Sequence, residues 1–433
     1  LFLNLEYEKT NLGNQMKTIL LSLFFSTSSL AAEYVAIIDP NAAKLIDQKT
    51  KEKNVFSIKE KFRAFNQEMA ILEIADEKEF KKNYVPNLFS YIEKNKSYKL
   101  LADSVAPPKI DVTDWDPKPV ITDDYSYTKL WGVLNFGQKL EQTGTKKMDA
   151  SIAQAWGYTQ GARKVLVGVM DTGINYKHQD IAAKVWVGSN KKHGFNAVIP
   201  EFDTYDDNKL NHGTHVSGTI AAIPNNKIGI AGVAWNATIV PVKIFYKEGT
   251  TTTAIILKGL NWFYKNPNIK VINHSWGGGE YSKLMHDAFK ILDSAGVINV
   301  FAAGNSNLNI DVSPSYPGSF NLANSIIVAA HDSKGKKPTF SNFGKRRVDI
   351  AAPGVNIYSL YLGKNSYQSL YGTSMATPHV TGAVAVLLGM FPDATPADIK
   401  RKIIDGGTVT QGLMETSRDG KRLNLLNAVT KNL

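Results

Sequence analysis

Six stretches of nearly unbroken apolar sequence constrain the fold more than any other feature. They cover residues 164–170, 238–245, 270–276, 297–303, 325–330 and 348–352. A strand with one wet face alternates apolar and polar residues, and most of these runs do not. Each is therefore expected to be a parallel strand buried on both faces. Between and after them lie segments of helical pattern at 212–223, 252–264, 281–295, 374–390 and 396–404. The last is the most clearly punctuated, with Thr395 as N-cap, Pro396 at the first helical position and Gly406-Gly407 beyond its end. Strands alternating with helices predict an α/β fold, a mostly parallel sheet with helices on both faces.

Three Gly-marked turns along this pattern carry reactive side chains. Asp171, in Val169-Met170-Asp171-Thr172-Gly173, follows a buried strand and so belongs at the carboxyl edge of the sheet. Taken alone it also reads as a simple chain reversal. His212-Gly213-Thr214-His215-Val216-Ser217-Gly218 places two imidazoles three residues apart on a helix. Such a pair can ligate a metal, but no Glu follows His212 as in His-Glu-x-x-His, and the chain has no cysteine. Ser374, in Tyr371-Gly372-Thr373-Ser374-Met375-Ala376-Thr377-Pro378-His379-Val380, opens a long apolar helix. A hydroxyl there meets free backbone N–H groups and a positive field, which suits a nucleophile and equally an ordinary N-cap.

Asp, then His, then Ser in this chain order strongly resembles the subtilisin-like serine proteases, the subtilases. The resemblance covers about residues 128–433. It implies that Asp171 orients His212, that His212 is the general base, and that Ser374 attacks the scissile carbonyl. His215 and His379 are then packed helix residues. Phe301-Ala302-Ala303-Gly304-Asn305 resembles the family's Ala-Ala-Gly-Asn segment, which implies that the Asn305 amide joins the Ser374 N–H at the oxyanion; in isolation Gly-Asn is also a turn. Gly249-Thr250-Thr251 and Ser275-Trp276-Gly277 match the two segments between which the family binds substrate as an added strand. Trp276 departs from the family's Leu, and an aromatic there is expected to reshape the first specificity pocket. With Ala302, Ala303 and Gly304 as another wall, the pocket has no acid, which predicts cleavage after apolar or aromatic residues. His178-Gln179-Asp180 and Pro224-Asn225-Asn226-Lys227-Ile228-Gly229-Ile230 resemble the two halves of a calcium site, with Asp180 and Asn226 as first ligands; the alternative is an Asn-rich turn. Catalysis itself is expected to need no cofactor.

Met16-Lys17-Thr18 and the apolar 19–25 run, followed by Ser29-Leu30-Ala31-Ala32, read as a secretory signal too short for a comfortable membrane span. Residues 1–15 precede that Met and read as an over-extended frame. Residues 33–101 are expected to form a small α+β, ferredoxin-like unit resembling the family's inhibitory propeptide, with strands at 34–39, 69–74 and 91–93 and a helix at 75–84; an unrelated ferredoxin-like domain is the other reading. Pro107, Pro108, Pro117 and Pro119 mark 102–127 as a linker, and 128–433 as the catalytic domain. The family's spacing puts maturation near Leu101–Ala102, with Tyr98 four positions before the cut.

The formal net charge of +11 comes from Lys and Arg dispersed among acids, without a nucleic-acid recognition motif, so a solvated basic surface is expected. The expectation is a secreted, self-maturing monomeric endopeptidase acting on polypeptides, with its own propeptide as inhibitor and no stable membrane insertion. The rival is a catalytically silent pseudo-protease that binds polypeptide in the same cleft.

Overall fold

The computed structural model describes residues 32–38, 56–64, 67–74, 80, 89–94, 97–99, 114–161 and 163–431. The expected signal at 16–32, all but its last residue, and the expected cut at 101–102 lie outside the described residues, as does the 75–84 helix apart from the buried Phe80.

The first unit is an antiparallel sheet of β1 (Ala32–Ile38), β2 (Phe56–Ala64), β3 (Gln67–Ile74) and β4 (Phe89–Lys94), in the order β2-β3-β1-β4. Strand residues alternate between faces. Tyr34, Ala36 and Ile38 point into the unit's own core with Phe56, Leu72, Phe80 and Phe89. Val35, Ala64 and Met69 point the other way and join a core of the main body. A three-residue strand, β5 (Ser97–Lys99), follows. The sequence pattern did not reveal β2, because Lys59-Glu60-Lys61 interrupts its alternation where the pairing slips between Ile58 and Glu60.

The main body contains α1 (Ile152–Ala155), β6 (Val165–Asp171), β7 (Phe195–Asn196), α2 (His212–Ala221), β8 (Ala237–Lys243), β9 (Thr250–Thr252) and α3 (Thr253–Tyr264). Then come β10 (Val271–His274), α4 (Lys283–Ser294), β11 (Ile298–Ala302), β12 (Ser325–His331), β13 (Ile350–Pro353) and the hairpin β14 (Ile357–Leu360) with β15 (Tyr367–Leu370). The chain closes with α5 (Thr373–Met390), α6 (Pro396–Gly406), β16 (Thr408–Val409), β17 (Lys421–Arg422) and α7 (Leu425–Thr430). Nine strands form one sheet in the order β16-β17-β13-β12-β11-β10-β6-β8-β7, with only β16–β17 antiparallel.

The continuous apolar runs are explained by two cores, one on each sheet face. Val271 and Val300 face the core built around α2 and α5, whereas their neighbours Ile272 and Phe301 face the core built around α3 and α4. The central helix α5 is buried on all sides apart from Leu388 and Met390, which is why it lacks a polar stripe. Each fully buried large aliphatic or aromatic side chain contributes about 1.5–3 kcal/mol, and two such cores hold this cysteine-free chain without crosslinks. Residues 114–127, expected as linker, lie against this body: Trp115 is buried in its core, and Val120 donates its N–H to Ala153 O at 2.9 Å.

The first unit docks on α3 and α4. Lys258 pairs with Glu60 and lies 5.2 Å from the Phe62 ring, while Lys283 lies 5.7 Å from the Tyr91 ring. Ser282, the N-cap of α4, donates its hydroxyl to Glu93. From there β5 runs antiparallel to β9, with Ser97 opposite Thr252, Tyr98 opposite Thr251 and Lys99 opposite Thr250.

Candidate active site

Asp171 ends β6 at the carboxyl edge of the sheet, and His212 opens α2. The His212 Nδ1 lies 2.8 Å from Asp171 Oδ1, with both side chains wholly buried. Asp171 Oδ1 also accepts the Thr172 N–H at 2.7 Å, so the carboxylate is fixed by its own turn before the histidine reaches it. The start of α2 is secured without a capping side chain from Asn211, its N-cap. Instead the Gly213 N–H donates to Thr172 Oγ1 at 2.8 Å and the Thr214 N–H to Asp206 Oδ2 at 3.0 Å. These two bonds satisfy N–H groups that every helix start leaves without partners. The fit is close: a Cβ on Gly213 would come 2.2 Å from Gly173 O, so only glycine lets the His212 turn approach the Asp171 turn this far.

Ser374 is the second residue of α5. Its hydroxyl donates to Ser275 O at 2.9 Å, while His212 Nε2 and Asp171 Oδ2 have no hydrogen-bond partner among the described residues. Asn305 follows the end of β11, and its Oδ1 accepts both the Thr373 N–H at 2.9 Å and the Thr373 hydroxyl at 2.6 Å. A backbone N–H can only donate, so Oδ1 is the end facing Thr373 and the Asn305 NH2 faces away from it. Thr373 Oγ1 also accepts the Gly304 N–H at 3.1 Å. Asn342 braces the same loop, donating to Ala303 O at 2.8 Å and accepting from the Ser306 and Leu308 N–H groups. Gly304 has φ +105°, and a Cβ there would strike Asn342 Nδ2 at 2.4 Å.

The expected substrate segments fall at three places in the fold. Gly249 precedes β9, and Thr250 and Thr251 lie within it, already paired with β5. A cavity of about 490 Å3 beside them is lined by Asn208, Lys209, Leu210, Lys247, Glu248, Gly249 and Thr250. Ser275 and Gly277 flank Trp276, whose ring is 1% exposed in the α3–α4 core and edge-on to His274 at 5.7 Å. The ring's bulk is thus spent on the core beneath the segment. Ala302 and Ala303 are buried at the end of β11. Tyr316 O accepts the Gly278 N–H at 3.1 Å, a contact of this segment that the sequence did not reveal. Thr172, Asp206 and Thr373 were likewise missed as supports, although Thr172 and Thr373 stood inside quoted motifs.

The other histidines of these motifs are structural. His215 Nε2 lies 2.9 Å from Ile357 O and 3.1 Å from Gln368 O, and burial pushes its pKa down to about 3. His379 Nδ1 lies 2.9 Å from Met375 O one turn back, and burial pushes it down to about 4.

Asp180 and Asn226 do meet, as hydrogen-bond partners. Asn226 Nδ2 donates to Asp180 Oδ1 at 2.7 Å, while Asp180 Oδ2 accepts the Ile230 N–H at 3.0 Å and the Tyr367 hydroxyl at 3.1 Å. The Asn226 amide cannot be turned over freely, because its Oδ1 accepts the Ile228 N–H at 3.0 Å. The Asn225 and Asn226 N–H groups donate to Asp124 and the Lys227 N–H to Asp123. This loop turns N–H groups onto carboxylates, the reverse of the converging oxygens a calcium ion requires, and the residues as arranged do not fit one. Burial pushes the Asp180 carboxyl up to about 7.

Among the described residues no helix is long and apolar enough to cross a membrane. Residues 162–425 match the model of the Subtilase family. The chain is 35% identical over 266 residues to subtilisin DY of Bacillus licheniformis, covering 61% of this chain and 90% of that protein. It is 34% identical over 349 residues to an alkaline protease of Alkalihalobacillus alcalophilus, covering 79% and 80% of the two chains. Among solved structures, a protease of Pseudoalteromonas arctica aligns with a TM-score of 0.60 at 28% identity, over 71% of this chain and 98% of that one. Fervidolysin of Fervidobacterium pennivorans shares the fold over 93% of this chain and 61% of its own, with a TM-score of 0.71 at 24% identity. The chain belongs to the subtilase family and is a serine endopeptidase.

Proposed function

We propose that Asp171, His212 and Ser374 form the catalytic triad of a secreted endopeptidase that matures itself. The observation that carries this is the buried 2.8 Å bond between His212 Nδ1 and Asp171 Oδ1, which leaves His212 Nε2 as the ring's unpaired nitrogen. An imidazole held this way keeps its Nδ1 proton on the carboxylate side and presents Nε2 as a base. The triad reading requires the Ser374 hydroxyl to leave Ser275 O for Nε2, a tightening usual on substrate binding.

Ser374 Oγ then bonds to the scissile carbonyl carbon as His212 takes its proton. The oxyanion is met by the Ser374 N–H and the Asn305 NH2. His212 returns the proton to the leaving amine, the C–N bond breaks, and an acyl-enzyme remains. Water attacks the ester with His212 again as base and releases Ser374.

The residues before the expected cut support self-maturation. β5 lies antiparallel on β9 as a substrate strand would, and its parent sheet is docked on α3 and α4. We read residues 33–101 as the propeptide, inhibitor of the enzyme it precedes. The alanine and glycine lining of the first pocket supports cleavage after apolar or aromatic residues.

Expression of wild type beside Ser374→Ala tests this reading. A wild-type product shortened to begin near Ala102, with an uncleaved Ser374→Ala chain, is expected. Equal cleavage of both would assign maturation to another protease. Export of both uncleaved, with no peptide turnover, would favour a silent polypeptide-binding scaffold.

A further inference from the structure

Lys243 stands directly opposite Asp171 in the register of β6 and β8. Its ammonium is buried, which is costly for a charge unless it is paired and hydrogen-bonded. It finds two partners, Thr172 O at 2.6 Å and Asp207 Oδ1 at 2.7 Å. Thr172 is the residue after Asp171, and Asp207 lies on the segment that leads into His212. The ammonium therefore ties the turn that carries the acid to the segment that carries the base. This link is independent of the Asp171–His212 bond.

The charge has a second consequence. Asp206 is wholly buried, accepting the Thr214 N–H at 3.0 Å and the Thr214 hydroxyl at 2.7 Å. Burial raises its pKa, and those bonds and the Lys243 charge oppose the rise. Asp171, Asp206 and Asp207 thus crowd three carboxyls around the approach to His212, and Lys243 is the buried cation among them. The titratable groups at this junction are Asp171 on β6, bonded to His212, with Asp206 and Asp207 on the preceding segment, Lys243 on β8 and His215 on α2 itself.

We propose that Lys243 is a positioning residue for the protease chemistry: it holds the Asp171 turn against the His212 segment and sets a buried positive charge at that junction. The proposal rests on the triad reading above. It does not make Lys243 touch substrate.

Full-length chains of wild type, Lys243→Met, Lys243→Arg and Asp207→Asn are expressed, and peptide hydrolysis is followed against pH. In Lys243→Met, kcat is expected to fall about ten-fold with KM nearly unchanged, because the loss is of alignment rather than substrate contact. The acid limb of kcat/KM should move up by about half a pH unit, since removing a nearby cation makes the imidazolium easier to form. Lys243→Arg should restore the limb. Asp207→Asn, at a half-exposed site, removes an anion and should move the limb the opposite way.

A folded Lys243→Met enzyme with wild-type kcat and an unmoved limb overturns the proposal. Should Lys243→Met fail to fold, an unmoved limb in Asp207→Asn overturns it equally. A wild type that hydrolyses no peptide contradicts the triad reading instead, and is distinguished from either result by the wild-type control.

Discussion

Ser275 and Ser374 exchange two hydrogen bonds: the Ser275 hydroxyl donates to Ser374 O at 2.8 Å, and the Ser374 hydroxyl donates to Ser275 O at 2.9 Å. The first bond follows from Pro378, four residues along α5. Proline has no N–H, so the carbonyl at its i−4 position, Ser374 O, lacks its helical donor. Ser275 supplies that donor from the neighbouring segment. A residue expected only as part of the substrate cleft thus repairs the helix that carries Ser374.

Ser275→Ala should leave a buried carbonyl unsatisfied, at a cost of about 1–3 kcal/mol. A fall in Tm of several degrees, measured by calorimetry, is expected together with reduced kcat. An unchanged Tm would mean that water or another donor replaces the hydroxyl.

Asn305→Leu keeps the approximate size of the side chain and removes both the proposed oxyanion donor and the anchor on Thr373. A loss of about 10²–10³ in kcat with little change in KM is expected, the size known for removal of such a donor from subtilisin, a relative of this chain. Steady-state kinetics check it, and a loss confined to KM would contradict the role.

His215 carries a pH prediction with a definite sign. Its folded pKa, about 3, is below the unfolded value near 6.5, so the unfolded chain binds the proton first as pH falls. Its contribution is complete above pH 6.5 and is lost as pH falls towards 3. His215→Gln keeps one N–H for Ile357 O and Gln368 O and cannot titrate. Denaturant unfolding between pH 6.5 and 4 should then show a slope shallower by up to about 1.4 kcal/mol per pH unit. An identical slope would mean that His215 is protonated in the fold.

The Asp180 loop predicts the outcome of metal removal. With both carboxylate oxygens already taken by Asn226, Ile230 and Tyr367, added chelator should leave Tm unchanged at neutral pH. A substantial chelator-induced drop would show that the loop rearranges around an ion.

The parts of this architecture that were legible in sequence have local physical signatures. The sheet strands were readable because burial on both faces demands unbroken apolar residues, as β8 shows from Ile239 to Val242. The start of α6 was readable because Thr395 precedes Pro396 at the first helical position, and the structure adds Asp398 as partner of Thr395 in a capping box. Asp171, His212, Ser374 and Asn305 stood out because each sits in a short motif with glycine at a close approach. Lys243, Asp206 and Tyr316 were not legible as site residues, since their roles arise from strand register and loop contacts far apart in sequence. The calcium reading turns on the same kind of contact: Asp180 and Asn226 are near one another, and only the loop's hydrogen bonds decide which atoms face inward.

The most direct test of the account is covalent labelling of the nucleophile by a fluorophosphonate, read by intact mass and peptide mapping. The account predicts one adduct on the wild-type enzyme, located at Ser374, and none on His212→Ala over the same period. An adduct on another residue, or equal labelling without His212, would contradict the claim that Ser374 is activated by His212.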